Sequence, residues 1–304
     1  MSDIKIFRIN GNGATELRGS SVALEKSLQT LIEKHLETFL GVRFLASEYS
    51  TGAKHGGRID TLGIDENHCA VIIEYKRALN ENVINQGLYY LDWLLDHKAE
   101  FNLLVMSKLG QEASNQIEWS SPRLLCIAGD FNKYDEHAVQ QINRNIELIR
   151  YRRFSNDLLL FELVNATTAQ SMNVPVTSPP KSLKTQPKTV TDQLTQAKGG
   201  VSDLFESLKA FLMALGDDVQ MKTLKHYIAF KRLKNFACVE VYQKSGKLLV
   251  YLKVDPDTIE LKEGFTRNVC NIGHYSPGDL EVTINSAEKM EAAKSLMIQS
   301  YEAS

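Results

Sequence analysis

Two carboxylates and one ammonium are spaced to meet within residues 56–76, GGRIDTLGIDENHCAVIIEYK. Residues 58–64 read as one strand, 65–68 as a polar turn and 69–75 as a second, β-rich strand. A turn centred on Asn67 sets Asp60 opposite Glu74, because cross-strand partners lie equally far from the turn. Side chains alternate along a strand, so Glu74 and Lys76 project to the same side. Two ionised carboxylates at that distance repel, and desolvation adds to the cost. Repulsion and burial together predict that at least one carboxyl has a raised pKa when no cation is bound. A hard divalent cation offsets both effects, since Mg²⁺ is typically held by one or two carboxylates plus water and phosphate oxygens. An exposed hairpin with a charged ladder would show the same three residues. The run Val71-Ile72-Ile73 argues against that reading, because it marks a strand covered on both faces.

The neighbouring elements bring further polar groups. Residues 82–97 read as a helix on which Gln86 and Tyr90, four apart, share a face near Trp93 and Leu94. Tyr90 is either core with Gln86 at its margin, or part of a site. An earlier helix starts at Ser20 or Ser21 and ends at Leu40 before Gly41, with an apolar stripe of Leu24, Leu28, Leu31, Ile32, Leu36 and Phe39. Lys26, Glu33, Lys34 and Glu37 fall on its outer face, whereas Glu25 lies beside Ile32 and Leu36 and points inward. Residues 50–57 form a glycine-containing loop through which a phosphate backbone could come close to Arg58. His55 reads as a solvated loop histidine.

Together, Asp60, Glu74-Tyr75-Lys76 and Gln86-x-x-x-Tyr90 resemble the PD-(D/E)XK nuclease superfamily, and the Gln-x-x-x-Tyr helix is similar to that of its RecB-like branch. GGRIDTLGID followed by VIIEYKRALNENVINQGLYYL looks most like the nuclease domain of NucS-type endonucleases. Gly57-Arg58-Ile59-Asp60 stands in place of the literal Pro-Asp, a replacement that superfamily tolerates. The resemblance covers residues 20–165. It implies a restriction-endonuclease-like α/β core, a mixed sheet flanked by helices, and Mg²⁺- or Mn²⁺-dependent hydrolysis of DNA phosphodiester bonds. Asp60, Glu74 and the first-helix Glu25 would hold the metal together with the Tyr75 backbone carbonyl. Lys76 would orient the attacking water or stabilise the charged transition state, with Gln86 and Tyr90 supporting the site. The alternative is a catalytically silent nuclease fold that serves as a DNA- or protein-binding scaffold.

Composition sets the limits. A net charge of −2 is not the basic footprint of a tight, non-specific DNA binder. Phosphates would be met through a cation and local arginines, with modest, salt-dependent affinity. The best basic cluster is Arg144, Arg150, Arg152 and Arg153, interleaved with Tyr151 and Phe154. With Arg58 it could contact DNA, or it could complement the dipole at a helix end. No run of about 18 apolar residues predicts a membrane span, and the opening residues lack the pattern of a signal peptide. Four scattered cysteines point to the cytoplasm and away from zinc. A homodimer is compatible with all of this.

The remaining elements alternate. Strands are expected at 4–9, 42–49, 101–106, 123–128 and 158–164, with helices near 111–119 and over 136–149. Domain 1–165 is followed by a Pro-, Ser- and Thr-rich linker over 166–199. Residues 200–304 form a small α+β domain: helix 201–215, strands 236–242, 247–254 and 280–284, and helix 287–301. It resembles a C-terminal domain of unknown function sometimes labelled a predicted transport protein. Its polar landmarks are Lys222, Lys225, His226, Lys231, Arg232, Lys234 and Arg267, with His274 and Asp279 as a conceivable acid/base pair. The basic residues form either a solvated face or a surface for nucleic acid or a protein partner.

Overall fold

The computed structural model describes residues 4–20, 26–76, 82–155, 157–169, 189–191, 194, 200–274 and 276–304. The chain divides into two compact units, residues 1–170 and 171–304. Among the described residues no helix is long and apolar enough to cross a membrane.

The first unit opens with a two-stranded hairpin, β1 (Ile6–Asn10) and β2 (Gly13–Leu17), turning through Gly11 at φ 55°. Short strand β3 (Gly19–Ser20) follows, then helices α1 (Lys26–Lys34) and α2 (Leu36–Leu40). A single helix was expected here, but His35 interrupts it at φ −119° and Gly41 ends it in the left-handed region. Contrary to the expected stripe, Leu31 is exposed, and Glu33 turns inward to accept a hydrogen bond from the Thr61 hydroxyl at 2.6 Å. Next come β4 (Val42–Ser50), a one-turn helix α3 (Gly52–His55), β5 (Arg58–Asp65) and β6 (Cys69–Lys76). Helices α4 (Val83–Asp96), α5 (Lys98–Leu109) and α6 (Gln111–Asn115) lead into β7 (Glu118–Ala128). The unit ends with α7 (Lys133–Gln140), β8 (Asn145–Phe154) and β9 (Leu158–Thr167).

Seven strands form one mixed sheet in the order β3-β8-β7-β6-β5-β4, with β9 also on β8. β6, β7 and β8 run parallel, and the remaining pairs are antiparallel. Ala70, Ile72, Leu124, Cys126 and Leu148 pack with Ile84, Leu91, Leu94, Phe101 and Val139 of the helices on one face. Helix α1 meets the opposite face, where Glu33 reaches Thr61.

Two expected elements differ. Residues 101–106 lie within helix α5: Phe101 and Val105, four apart, are buried, while Leu103 is exposed. A short apolar run carries no period that separates strand from buried helix. Residues 145–149, expected to be helical, open β8 instead, since α7 ends at Gln140 and Ile146, Leu148 and Ile149 fill the sheet interior. Buried beside them, Arg123 Nε and Nη2 donate to the two Glu147 carboxylate oxygens at 2.8 Å each, and Nη1 donates to Asp65 Oδ2 at 2.9 Å. Burial alone would depress the Arg123 guanidinium, but the adjacent Glu147 and Asp65 charges outweigh it and hold its pKa up. Asp65 also accepts from the Asn67 and Cys69 amides, so one carboxylate shapes the hairpin turn and closes this triad.

The second unit is a six-stranded antiparallel sheet, β10 (Gln220–Thr223), β11 (Ile228–Lys231), β12 (Asn235–Tyr242), β13 (Lys247–Leu252), β15 (Leu280–Ile284) and β14 (Thr266–Asn268) in spatial order. Helices α8 (Gly200–Met213) and α9 (Ala287–Glu302) contribute Phe205, Leu208, Met290 and Met297 to its core. Val190 and Leu194 belong to the same core, so it reaches back before residue 200 into the expected linker, whose residues 170–188 lie outside the described ones. Lys222 and Lys231, read as surface cations, are buried on β10 and β11. His274 forms no pair with Asp279. Its ring nitrogens face the carbonyls of Ile272 and Gly278, and the ring stacks on Tyr251 at 4.9 Å.

Candidate active site

Hairpin β5–β6 has the register that the turn dictates. Thr61 faces Ile73 and Ile64 faces Ala70, which sets Asp60 opposite Glu74. The two residues interlock: the Asp60 amide donates to Glu74 Oε1 at 3.1 Å, and the Tyr75 amide donates to Asp60 Oδ2 at 3.0 Å. Glu74 is 1% exposed. Burial above all, then the Asp60 charge, pushes its carboxyl up from 4.5 to about 9, against the bond from the Asp60 amide. Without a cation Glu74 is therefore protonated at neutral pH. Cys126, its partner on β7, is kept a thiol by burial above all.

Lys76 projects to the same side as Glu74, yet its ammonium is committed elsewhere. Nζ donates to Asp135 Oδ2 at 2.9 Å and lies 5.7 Å from the centre of the Phe131 ring. Asp135 is the N3 residue of the α7 capping box, accepting from the Asn132 amide as well. A helix cap and an ion pair thus share one carboxylate. Sequence reasoning missed Asp135, because nothing in its spacing from Lys76 predicts that α7 begins beside the end of β6.

A cleft of about 680 Å³ opens beside the hairpin, with Arg58, Asp60, Tyr75, Gln86 and Tyr90 among its lining residues. The Tyr90 hydroxyl accepts from the Arg58 amide at 3.1 Å and from Gln86 Nε2 at 3.3 Å. Gly57 admits this ring: a Cβ there would fall 2.5 Å from a Tyr90 ring carbon. Both helix residues therefore brace the entry of β5. The Tyr75 side chain turns to the other face, where its hydroxyl meets Thr61 Oγ1 at 3.3 Å. Burial raises its phenol well above the usual range.

Glu48 also lines the cleft and was not singled out in the sequence. Its neighbours pair Ser47 with Thr61 and Tyr49 with Ile59, which brings Glu48 opposite Asp60. Its φ of 51° is the left-handed region that only a small fraction of non-glycine residues adopt. Its charge adds to the forces raising Glu74, and it meets Arg58 at 3.6 Å.

The other expected residues fall differently. Glu25 lies outside the described residues. Of the five arginines, only exposed Arg58 lines the cleft. Arg150, expected to touch DNA, is buried on β8 between Asp130 at 3.2 Å and Glu162 at 3.4 Å, since its strand is covered on both sides. Arg152 is half-buried and Arg153 exposed on the same strand.

Among the described residues no three His, Cys, Asp or Glu side chains converge to cage a metal ion. Asp60 and Glu74 nonetheless fit a hard cation. They are oxygen donors, they repel each other, and Mg²⁺ needs only one or two carboxylates when water and phosphate oxygens complete its shell.

The first unit is thus a mixed α/β sheet flanked by helices that presents Asp60 at a cleft, with buried Glu74 behind it. By sequence, the chain belongs to the same family as an uncharacterized protein of Haemophilus influenzae (strain ATCC 51907 / DSM 11121 / KW20 / Rd), to which it is 31% identical over 307 residues, covering 98% of this chain and 100% of that one. Residues 190–304 match a domain of unknown function, DUF5655. Among solved structures, a chain of the "Structure of EndoMS-dsDNA2 complex" aligns at 13% identity over 48% of this chain and 64% of that one. Its TM-score is 0.25, too loose a superposition to define a common fold.

Proposed function

We propose that the first unit is a PD-(D/E)XK-type nuclease that hydrolyses DNA phosphodiester bonds with Mg²⁺ or Mn²⁺. The observation that carries this reading is the interlocked pair Asp60–Glu74, in which a buried carboxyl faces a second carboxylate at the edge of an open cleft. Asp60 and Glu74 would hold the ion with the Tyr75 carbonyl, and Glu25 by resemblance. When bound, such an ion lowers the pKa of water and stabilises charge on the scissile phosphate and leaving oxygen. Arg58, exposed at the cleft, would contact a phosphate of the bound strand. Gln86 and Tyr90 would support the site through the bond between the Tyr90 hydroxyl and the Arg58 amide. Lys76, on the Glu74 side of the sheet and fixed by Asp135, would stabilise developing negative charge.

One observation favours a second reading, a non-catalytic DNA- or protein-binding scaffold. Lys76 is 5% exposed and paired with Asp135, so its ammonium is not free to meet a phosphate in this state. Incubation with labelled single-stranded, branched and duplex DNA, with and without Mn²⁺, separates the two. The nuclease reading expects metal-dependent cleavage that Asp60→Ala lowers by on the order of 10²-fold or more. Equal cleavage by Asp60→Ala protein free of host nucleases would overturn it.

A further inference from the structure

Behind the carboxylate pair, helix α1 supplies a buried amide to which the metal reading gives no role. Gln29 is 3% exposed. Its Nε2 donates to the Asp60 carbonyl at 3.4 Å and to Glu33 Oε1, one helical turn on, at 3.1 Å. Glu33 also accepts from the Thr61 hydroxyl at 2.6 Å, and the Tyr75 hydroxyl lies 3.3 Å from Thr61 Oγ1. One carboxylate thus ties α1 to the residues that follow Asp60 and Glu74 in the chain. The Gln29 amide is held at its nitrogen end, and Oε1 is buried with no hydrogen-bond partner among the described residues. Buried acceptors are nearly always satisfied, because an unmet one keeps the full cost of leaving water. An apolar side chain would fill the same space without that cost.

The N–H and C=O of one residue point to the same side of a strand. Those of Asp60 point into the space where β5 and β6 part beyond their last paired residues, Thr61 and Ile73. There the Asp60 amide meets Glu74 Oε1 and the Asp60 carbonyl meets Gln29. Gln29 and Glu74 therefore grip neighbouring atoms of one residue from two different elements. That grip keeps the free Gln29 oxygen close to the carboxylate pair.

We propose that Gln29 is a positioning residue of the cation site, its Oε1 accepting a hydrogen bond from a water in the shell of the bound Mg²⁺ or Mn²⁺. The proposal rests on the metal-dependent reading of Asp60 and Glu74, and it adds to that site a residue from a separate helix. Mg²⁺ gives up its waters reluctantly and usually keeps several, so a site with two carboxylates needs acceptors for the protons of those waters. A carbonyl oxygen supplies one without bringing a further negative charge to a pair that already repels. Its other end is pinned by Glu33 and the Asp60 carbonyl, so little side-chain freedom is lost when the water arrives.

The test measures Mn²⁺ binding to the full chain at neutral pH without DNA, from the loss of the free-ion EPR signal. Gln29→Met keeps the side-chain length and removes both polar ends, whereas Gln29→Glu keeps an acceptor oxygen and removes the donor. Gln29→Met should weaken Mn²⁺ binding by about 10–100-fold, the usual effect of removing a group that supports a metal site from outside its ligands. Gln29→Glu should bind at least as tightly as wild type, because a carboxylate accepts from the same water and adds negative charge toward the ion. A residue that only tied α1 to the sheet would give the opposite order, since Gln29→Glu sets a second carboxylate against Glu33 and the Asp60 carbonyl. If Gln29→Met does not fold, Gln29→Ala carries the same expectation. The proposal is overturned if the apolar variant binds Mn²⁺ as tightly as wild type, or if Gln29→Glu loses as much as the apolar variant. Wild type that binds no Mn²⁺ would remove the metal reading and this proposal together. Wild type that binds it, with the apolar variant unchanged, would remove the proposal alone.

Discussion

Replacing Glu74 by Gln should make the first unit more stable, and by an amount that grows with pH. The folded carboxyl titrates at about 9 against 4.5 in its ordinary environment, so between those values the native state holds a proton that the unfolded chain has lost. Stability contributed by that proton is complete at the acid end and falls as pH rises. At 1.36 kcal/mol per pKa unit the wild type is penalised by about 3 kcal/mol at pH 7 and about 6 at pH 9. An amide keeps the acceptor for the Asp60 N–H but cannot ionise, so Glu74→Gln escapes the penalty. Both tryptophans, Trp93 and Trp119, lie in the first unit, so their fluorescence reports its urea unfolding within the full chain. With a slope of about 2–3 kcal/mol per molar urea, the midpoints should separate by about 1–1.5 M at pH 7 and converge near pH 5. Mg²⁺ or Mn²⁺ should close most of the gap at pH 7, because ion binding favours the ionised form and releases a proton. At about 100 times Kd the wild type gains roughly 2.7 kcal/mol, and Glu74→Gln much less. Midpoints that run parallel from pH 5 to 9, and do not respond to either ion, would refute both the buried acid and the metal site.

Asp135→Asn keeps an acceptor for the α7 cap but leaves the Lys76 ammonium buried without its partner, so the unit should lose about 3 kcal/mol. The same variant should cleave DNA more slowly than its residual stability explains, and unchanged turnover at saturating DNA would refute a positioning role. Arg123→Ala strands Glu147 and Asp65 in the core and should lower the thermal midpoint by about 10 °C or more in the same fluorescence assay. Gly57→Ala drives a methyl into the Tyr90 ring, so about 1–3 kcal/mol of strain and loss of the Tyr90–Arg58 bond are expected, seen as reduced stability and reduced cleavage together. Arg150→Gln should affect stability rather than salt-dependent DNA binding, because the side chain sits between Asp130 and Glu162 and away from the cleft.

The hairpin at the centre of the site was legible in the sequence because its information is local. Strand alternation and a four-residue turn fix which side chains meet across β5 and β6, and no distant residue can change that without breaking the register. The same holds for Gln86 and Tyr90, joined by one turn of helix. Strand β8 was not legible: Arg150, Arg152 and Arg153 look like a cationic helix end until β7, β9 and Glu162 surround the first of them. Nor could the sequence place Glu48 beside Asp60, since that depends on how β4 lies along β5 past a bulge at residues 44–46. Sequence alone thus determined the Asp60–Glu74 pair and its face of the sheet, through short-range geometry. Only the tertiary structure decided which charges are neutralised: Asp135 reaches Lys76 across 59 positions, and Asp65 reaches Arg123 across 58. The physical reason is that burial and Coulomb energy depend on distance in space and on the loss of water, and a charge's separation along the chain encodes neither.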